Sequence, residues 1–298
     1  MSNNLLYNFD PMIEVSNLKR SFGTKEAVAG ISFTVRQGEI FGLLGPNGAG
    51  KTTTIRMLTG QIIPTGGGAV VVGCDVAKDR AKLKERIGVV FEDQNLYERL
   101  SARLNLEFSC WLYELPKKRV DEVLELVRLR DRAKDPVRAF SNGMRQRLMI
   151  ARALLHRPPM LFLDEPSRGL DPISAREIRQ TTKELCQNGT TVLLTTHLMD
   201  EADQLCQRVA FIVNGHIVAN DTPRSLKLNH GQRALTVTLN NDDSTQNGTL
   251  KEMILSIDNP TDQNRLAQLM TQGNVRAVHS REATLEEVFI EVAGVHPA

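Results

Sequence analysis

Apolar positions along the chain change their period more than once. The early ones come in short runs, Ile13 to Val15, Ile31 to Val35, Ile40 to Leu44, Ala69 to Val72 and Ile87 to Phe91, punctuated by glycine and proline. Runs of that length between breakers predict strands. From Ala102 to about Ala133 the spacing turns helical: Phe108, Trp111, Leu112 and Leu115 share one face, and Val120, Val123, Leu124 and Val127 share another. A helical insertion after a sheet-rich beginning is therefore expected. The stretch FSNGMRQRLMIARALL, Phe140 to Leu155, repeats Met144, Leu148, Ala151 and Leu155 at helical spacing behind the polar triplet Ser141-Asn142-Gly143. Met160 to Leu163 and Thr191 to Thr195 are nearly all apolar, as strands buried on both faces are, and the helical patterns between them predict βα units.

Two alternating runs in VAFIVNGHIVAND flank Asn214-Gly215, a pair suited to the tight turn of a hairpin. After Asp221 the texture changes. TPRSLKLNHGQ reads as a connecting segment, ALTVTL as a strand and NNDDSTQNGT as a polar loop. From Pro260 helical patterning resumes, with Leu266, Leu269 and Met270 on one face, then Leu285, Val288, Phe289 and Val292 on another. The expected organisation is a flexible start over residues 1–11, a main domain over 12–221 with its helical insertion at about 92–155, and a small α+β accessory domain over 222–298.

Composition narrows the partners more than the fold. With 37 Lys and Arg against 35 Asp and Glu, the 298-residue chain carries a net charge of +2. It has no broad basic field for nucleic acid or anionic lipid. Cys74, Cys110, Cys186 and Cys206 are scattered, without a Cys-x-x-Cys pair or a neighbouring His at metal-ligand spacing, and are expected to be buried, reduced thiols. MSNNLLYNFDPM lacks the basic and apolar regions of a signal peptide. No apolar run reaches the roughly eighteen residues needed to cross a bilayer, so a cytoplasmic location is expected. The glycosylation-like triplets at Asn188, Asn220 and Asn247 then read as turns.

Chemistry concentrates in four places. GPNGAGKT, Gly45 to Thr52, fits G-x-x-x-x-G-K-[ST], follows the strand EIFGLL and precedes the helical TTTIRMLTG. That context predicts a P-loop and, with it, an α/β P-loop NTPase core. The backbone of Gly45, Pro46, Asn47, Gly48, Ala49 and Gly50 would cradle phosphates, with Lys51 adding charge, Thr52 offering a hydroxyl to Mg2+ and Thr53 beside it. PMLFLDEPSRGLDP puts Asp164 and Glu165 at the end of an apolar strand, where carboxylates are costly unless employed. Asp164 is placed for Mg2+ through a water and Glu165 is free to act as a base. His197 ends the strand-like LLTTH, either as a satisfied polar group or as a hydrogen-bond partner of the γ-phosphate. Ser141-Asn142-Gly143 either caps a helix or holds an anion at its positive end.

In this order of motifs, from about Met12 to Asp221, the chain resembles the nucleotide-binding subunit of ABC transporters. The resemblance implies a mixed-sheet core with an inserted helical subdomain. It also implies a head-to-tail dimer in which Ser141, Asn142 and Gly143 bind the γ-phosphate held by a second subunit's P-loop, so that two ATP molecules are sandwiched. By the same resemblance SRGLDP, Ser167 to Pro172, lies across that interface and Phe22 is placed to stack on adenine. Two positions depart from the usual pattern. Asn142 replaces a glycine, a change expected to be tolerated because Asn accepts positive φ and caps helices well. Glu92 stands where a glutamine is usual, with Gln94 two residues later; either could reach Mg2+ or the attacking water, and Glu92 is preferred.

The resemblance further implies a separate integral membrane permease, docked near Glu92 to Leu115 and leaving the ATPase peripheral on the inner face of the membrane. Tyr97, Trp111 and Tyr113 are candidates for that contact, although simple packing is the expectation for Trp111. REATLEEVFIEVAG resembles the C-terminal appendage of subunits serving exporters of drugs, lipids or polysaccharides, which tilts the direction toward export. The alternatives are an import-type subunit, a soluble ABC ATPase working on ribosomes or DNA, and a nucleotide sensor without turnover. The second lacks its usual doubled unit or long coiled coil, and Glu165 with His197 weighs against the third.

Overall fold

The structure, a computed structural model, describes residues 11–92, 95–231, 234–239 and 252–294. It divides at Thr222/Pro223 into two compact units.

The first unit is built from two sheets. One is four-stranded and antiparallel in the order β2-β1-β4-β5, from β1 (Ile13–Phe22), β2 (Lys25–Val35), β4 (Gly66–Val71) and β5 (Cys74–Asp75). The strand β3 (Ile40–Leu44) belongs to the other sheet and leads through the P-loop into α1 (Lys51–Leu58). That sheet continues with β6 (Ile87–Val90), reached through α2 (Arg80–Arg86), then with β7 (Met160–Asp164), β8 (Thr191–Thr196), β9 (Arg208–Val213) and β10 (His216–Asp221). Its order is β10-β9-β3-β8-β7-β6, parallel except for β10. Every residue of β3, β7 and β8 is buried, which explains why these strands read as unbroken apolar runs. Phe33 of β2 stacks on Phe41 of β3 with ring centroids 5.3 Å apart, inside the cluster that joins the two sheets.

The insertion comprises α3 (Ala102–Leu112), α4 (Lys118–Leu126) and α5 (Asn142–Ala153), with single turns of 3-10 helix at Arg130–Arg132 and Val137–Ala139. The helix α6 (Pro172–Gln187) then crosses from β7 to β8, and α7 (Met199–Leu205) follows β8. Between β9 and β10, Asn214 (φ 48°) and Gly215 (φ 78°) make the expected tight hairpin turn.

The second unit holds α8 (Pro223–His230), β11 (Ala234–Leu239), β12 (Glu252–Ser256), α9 (Pro260–Thr271), β13 (Val275–Arg281) and α10 (Leu285–Ala293). Its three strands run in the order β12-β11-β13, both neighbours antiparallel to β11. Thus α9 carries the chain between two parallel outer strands. A capping box starts α10: Thr284 Oγ1 accepts from Glu287 N, and Glu287 Oε2 accepts from Thr284 N.

Several expectations need correction. The first strand runs on from Val15 to Phe22, because register shifts between Val15 and Leu18 and again around Lys19 to Ser21 break the alternation that would reveal it. The supposed connector after Asp221 contains α8, entered through Pro223 and anchored by buried Leu226. Asn220 lies in β10, opposite Ala210, rather than in a turn. Cys186 is half-buried, its thiol donating to Gly38 O at 3.1 Å, unlike the buried Cys74, Cys110 and Cys206. The expected polar loop over residues 240–249, Asn247 included, and the start over residues 1–10 lie outside the described residues.

Candidate functional site

The buried β3 delivers the loop Gly45–Gly50 to the start of α1. Gly50 caps that helix at φ 112°, and a Cβ there would stand 2.5 Å from Ala27 O, so the turn requires glycine on both counts. Lys51 is folded inward and 5% exposed. Its Nζ donates to Gly45 O at 2.7 Å and Pro46 O at 3.2 Å, and pairs with Glu165 Oε1 at 3.0 Å.

The parallel pairing of β7 with β8 sets Asp164 opposite Thr195, which brings the acidic strand end beside the histidine strand end. Thr195 Oγ1 donates to Asp164 Oδ1 at 2.5 Å, and Thr52 Oγ1 donates to the same oxygen at 3.3 Å. Glu165 follows in the left-handed region at φ 50°, its N–H held by Thr195 O and Thr195 Oγ1, both at 3.1 Å. A non-glycine residue in that region is strained by about 1–3 kcal/mol and persists where its surroundings hold it. The strain turns the carboxylate between two bases: Oε1 meets Lys51, and Oε2 meets His197 Nδ1 at 2.7 Å.

Beside this chain of contacts opens a cleft of about 270 Å³. Of the residues expected to bind nucleotide or metal, Phe22, Pro46, Asn47, Gly48, Gly50, Lys51, Thr52, Thr53, Glu92 and Glu165 line it. Phe22 is 49% exposed, and the Arg20 guanidinium lies over its ring, 4.6 Å from the centroid. Gln94 lies outside the described residues. Arg168, which the motifs did not single out, also lines the cleft and pairs with Glu92. A carboxylate where a glutamine is usual was the available signal, since such a charge calls for a counter-ion.

None of Ser141, Asn142 and Gly143 is among the described residues lining the cleft. Ser141 is the N-cap of α5, its hydroxyl accepting from Met144 N at 3.2 Å. Asn142 is the first helical residue and does not have positive φ. The backbone at Asn142 therefore needs no left-handed residue, and the expected acceptance of positive φ is not called on here. At Gly143 a Cβ would fall 2.3 Å from Ser174 Oγ on α6, so the close approach of α5 and α6 requires that glycine.

A second groove, of about 630 Å³, lies between the edge strand β6 and the insertion, walled by Ile87, Tyr97, Phe108, Leu112, Tyr113 and His156 among others. Trp111 is 74% exposed and does not pack into the core as expected. The reason is that α3 turns Leu106, Ser109 and Cys110 inward, leaving Phe108, Trp111 and Leu112 outside. Tyr97 meets Phe108 edge-on at 5.3 Å, and Tyr113 stacks on His156 at 5.6 Å. Burial holds the His156 pKa below its ordinary value, against a hydrogen bond with Ile87 O.

Comparison with known proteins places this geometry. The family model described as ABC transporter matches residues 28–168. A fluoroquinolones export ATP-binding protein of Mycobacterium tuberculosis is 43% identical over 268 residues, 90% of this chain and 88% of that one. The linearmycin resistance ATP-binding protein of Bacillus subtilis is 37% identical over 306 residues, covering 95% and 98%. Among solved structures, a dimeric ATP-binding cassette in a post-hydrolysis state bound to ADP and Pi superposes with a TM-score of 0.63 at 27% identity, over 71% of this chain and 98% of that one.

Proposed function

This chain belongs to the ABC transporter family of ATP-binding proteins and is an ATPase subunit of the export type; from that premise we propose how its residues divide the work. The observation that carries the reading is the line Lys51–Glu165–His197, with contacts of 3.0 Å and 2.7 Å beside the P-loop. The P-loop backbone and Lys51 take the β- and γ-phosphates, and Phe22 stacks on adenine, a contact worth roughly 1–3 kcal/mol. Glu165 accepts the proton of the attacking water. His197 orients Glu165 and offers its other ring nitrogen to the γ-phosphate.

The hydroxyl of Thr52 and the carboxylate of Asp164, 3.3 Å apart, are hard oxygen donors that fit Mg2+, an ion that keeps waters and takes substrate phosphates as ligands. Glu92 is the further candidate on the cleft wall. Bound there with ATP, Mg2+ would neutralise charge developing on the phosphate oxygens.

Ser141, Asn142 and Gly143 stand outside their own cleft, which supports a head-to-tail pair of subunits, each start of α5 closing the other's ATP site. Light scattering on Glu165→Gln, where nucleotide persists unhydrolysed, should show dimers that form with MgATP. Dimers appearing only when Asn142→Gly is added would overturn the tolerance of Asn142.

No helix among the described residues is long and apolar enough to cross a membrane. The groove edged by Tyr97, Phe108 and Leu112, with Trp111 exposed beside it, suits the cytoplasmic helices of a separate permease, making the chain peripheral on the inner face of the membrane. The names of the relatives favour a drug among drug, lipid and polysaccharide cargoes. Affinity purification from gently solubilised cells should recover a multi-span membrane protein in stoichiometric amount. Ribosomes or DNA in its place would overturn the transport reading, and an extracellular binding protein in the complex would favour import.

A further inference from the structure

The loop after β7 places a second charged group on the nucleotide cleft. Arg168 shares the wall with Phe22, Lys25 and Thr53, and its Nη1 meets Glu92 Oε1 at 2.5 Å. Both side chains are about half exposed. Of the cations Lys25, Lys51 and Arg168 on this wall, Lys51 is engaged by Glu165 and by two loop carbonyls, and it is Arg168 that forms the ion pair with Glu92. An exposed pair of this kind adds little to folding stability. Its position is what matters, because an uncompensated carboxylate on the wall would repel the triphosphate tail from well inside a Debye length.

We propose that Arg168 is a positioning residue acting through Glu92: it ties that carboxylate to the loop after β7 and cancels its charge, so that the phosphates of ATP can enter the P-loop. The proposal rests on the reading of the cleft as an ATP site. It explains how the site accommodates Glu92 where the resemblance leads one to expect an uncharged glutamine.

The test is a double-mutant cycle read in the kinetics of MgATP hydrolysis by the full chain. Arg168→Ala should raise KM roughly tenfold, the size of one unscreened charge contact at the surface, with kcat little changed. Arg168→Lys, which keeps the charge, should stay within about twofold of the parent. Adding Glu92→Gln to Arg168→Ala should bring KM back to within about twofold of the parent, because the pair of positions then again carries no net charge. Added salt should shrink the effect of Arg168→Ala, as screening requires, whereas a merely structural defect would persist. An unchanged KM in Arg168→Ala, or a double variant still as impaired as Arg168→Ala, overturns the proposal. A parent chain that fails to bind ATP any better than Lys51→Ala overturns the ATP-site reading itself, and this inference with it.

Discussion

Glu165→Gln should stop steady-state ATP turnover, lowering it by a factor on the order of 10² to 10⁴, while MgATP still binds. The size follows from what a positioned base supplies to a proton transfer. The retained binding follows from geometry: the carboxylate faces Lys51 and His197 at 3.0 Å and 2.7 Å rather than the loop backbone. An amide of the same shape still accepts through its oxygen and donates through its nitrogen, but takes no proton. Phosphate release at saturating MgATP and equilibrium binding of nucleotide are the two measurements needed. Turnover near the parent rate would move the base elsewhere on the cleft, with Glu92 first in line. Loss of binding together with turnover would mean that Glu165 shapes the P-loop more than it serves the reaction.

Glu165 and His197 were legible because each stands at a strand end after an apolar run, and Lys51 because it closes the G-x-x-x-x-G-K-[ST] motif at the start of α1. That the acidic strand end lies beside His197 follows from the pairing of β7 with β8, which sets Asp164 opposite Thr195 and which the two apolar runs by themselves do not specify. The left-handed backbone of Glu165 was not legible. It arises from two hydrogen bonds to Thr195, and a contact between strands leaves no local pattern. Gly143 was legible as a motif residue, but its reason, Ser174 on the neighbouring helix, depends on how two helices cross. Trp111 misled for a related cause. Its spacing with Phe108 and Leu112 marks a helix face without saying whether protein covers it, and among the described residues nothing buries it. The helix α8 was missed because a short helix entered at proline, with Leu226 as its buried apolar residue, resembles a loop in composition.

Lys51→Ala should abolish detectable MgATP binding, weakening it by about a hundredfold or more, and should also destabilise the protein with no nucleotide present. The first effect is the loss of the positive charge of the P-loop, in a site where it meets phosphate with little water between. The second arises because Lys51 is 5% exposed and Glu165 is 7% exposed. Removing one member of a buried pair strands the other charge, at a cost of about 3 kcal/mol. The two effects separate in the double substitution Lys51→Ala/Glu165→Gln. With no charge left to strand, most of the lost stability should return, while nucleotide binding stays absent. Thermal unfolding of the nucleotide-free proteins, run beside equilibrium binding of ATP, reads both quantities. A double variant as unstable as Lys51→Ala would place the stabilisation in the hydrogen bonds from Lys51 to Gly45 and Pro46, making the lysine a clasp on its own loop. A double variant that recovers stability would show instead that Lys51 and Glu165 hold each other in reserve, each neutralised by the other until ATP draws the lysine to its phosphates and leaves the carboxylate to the water.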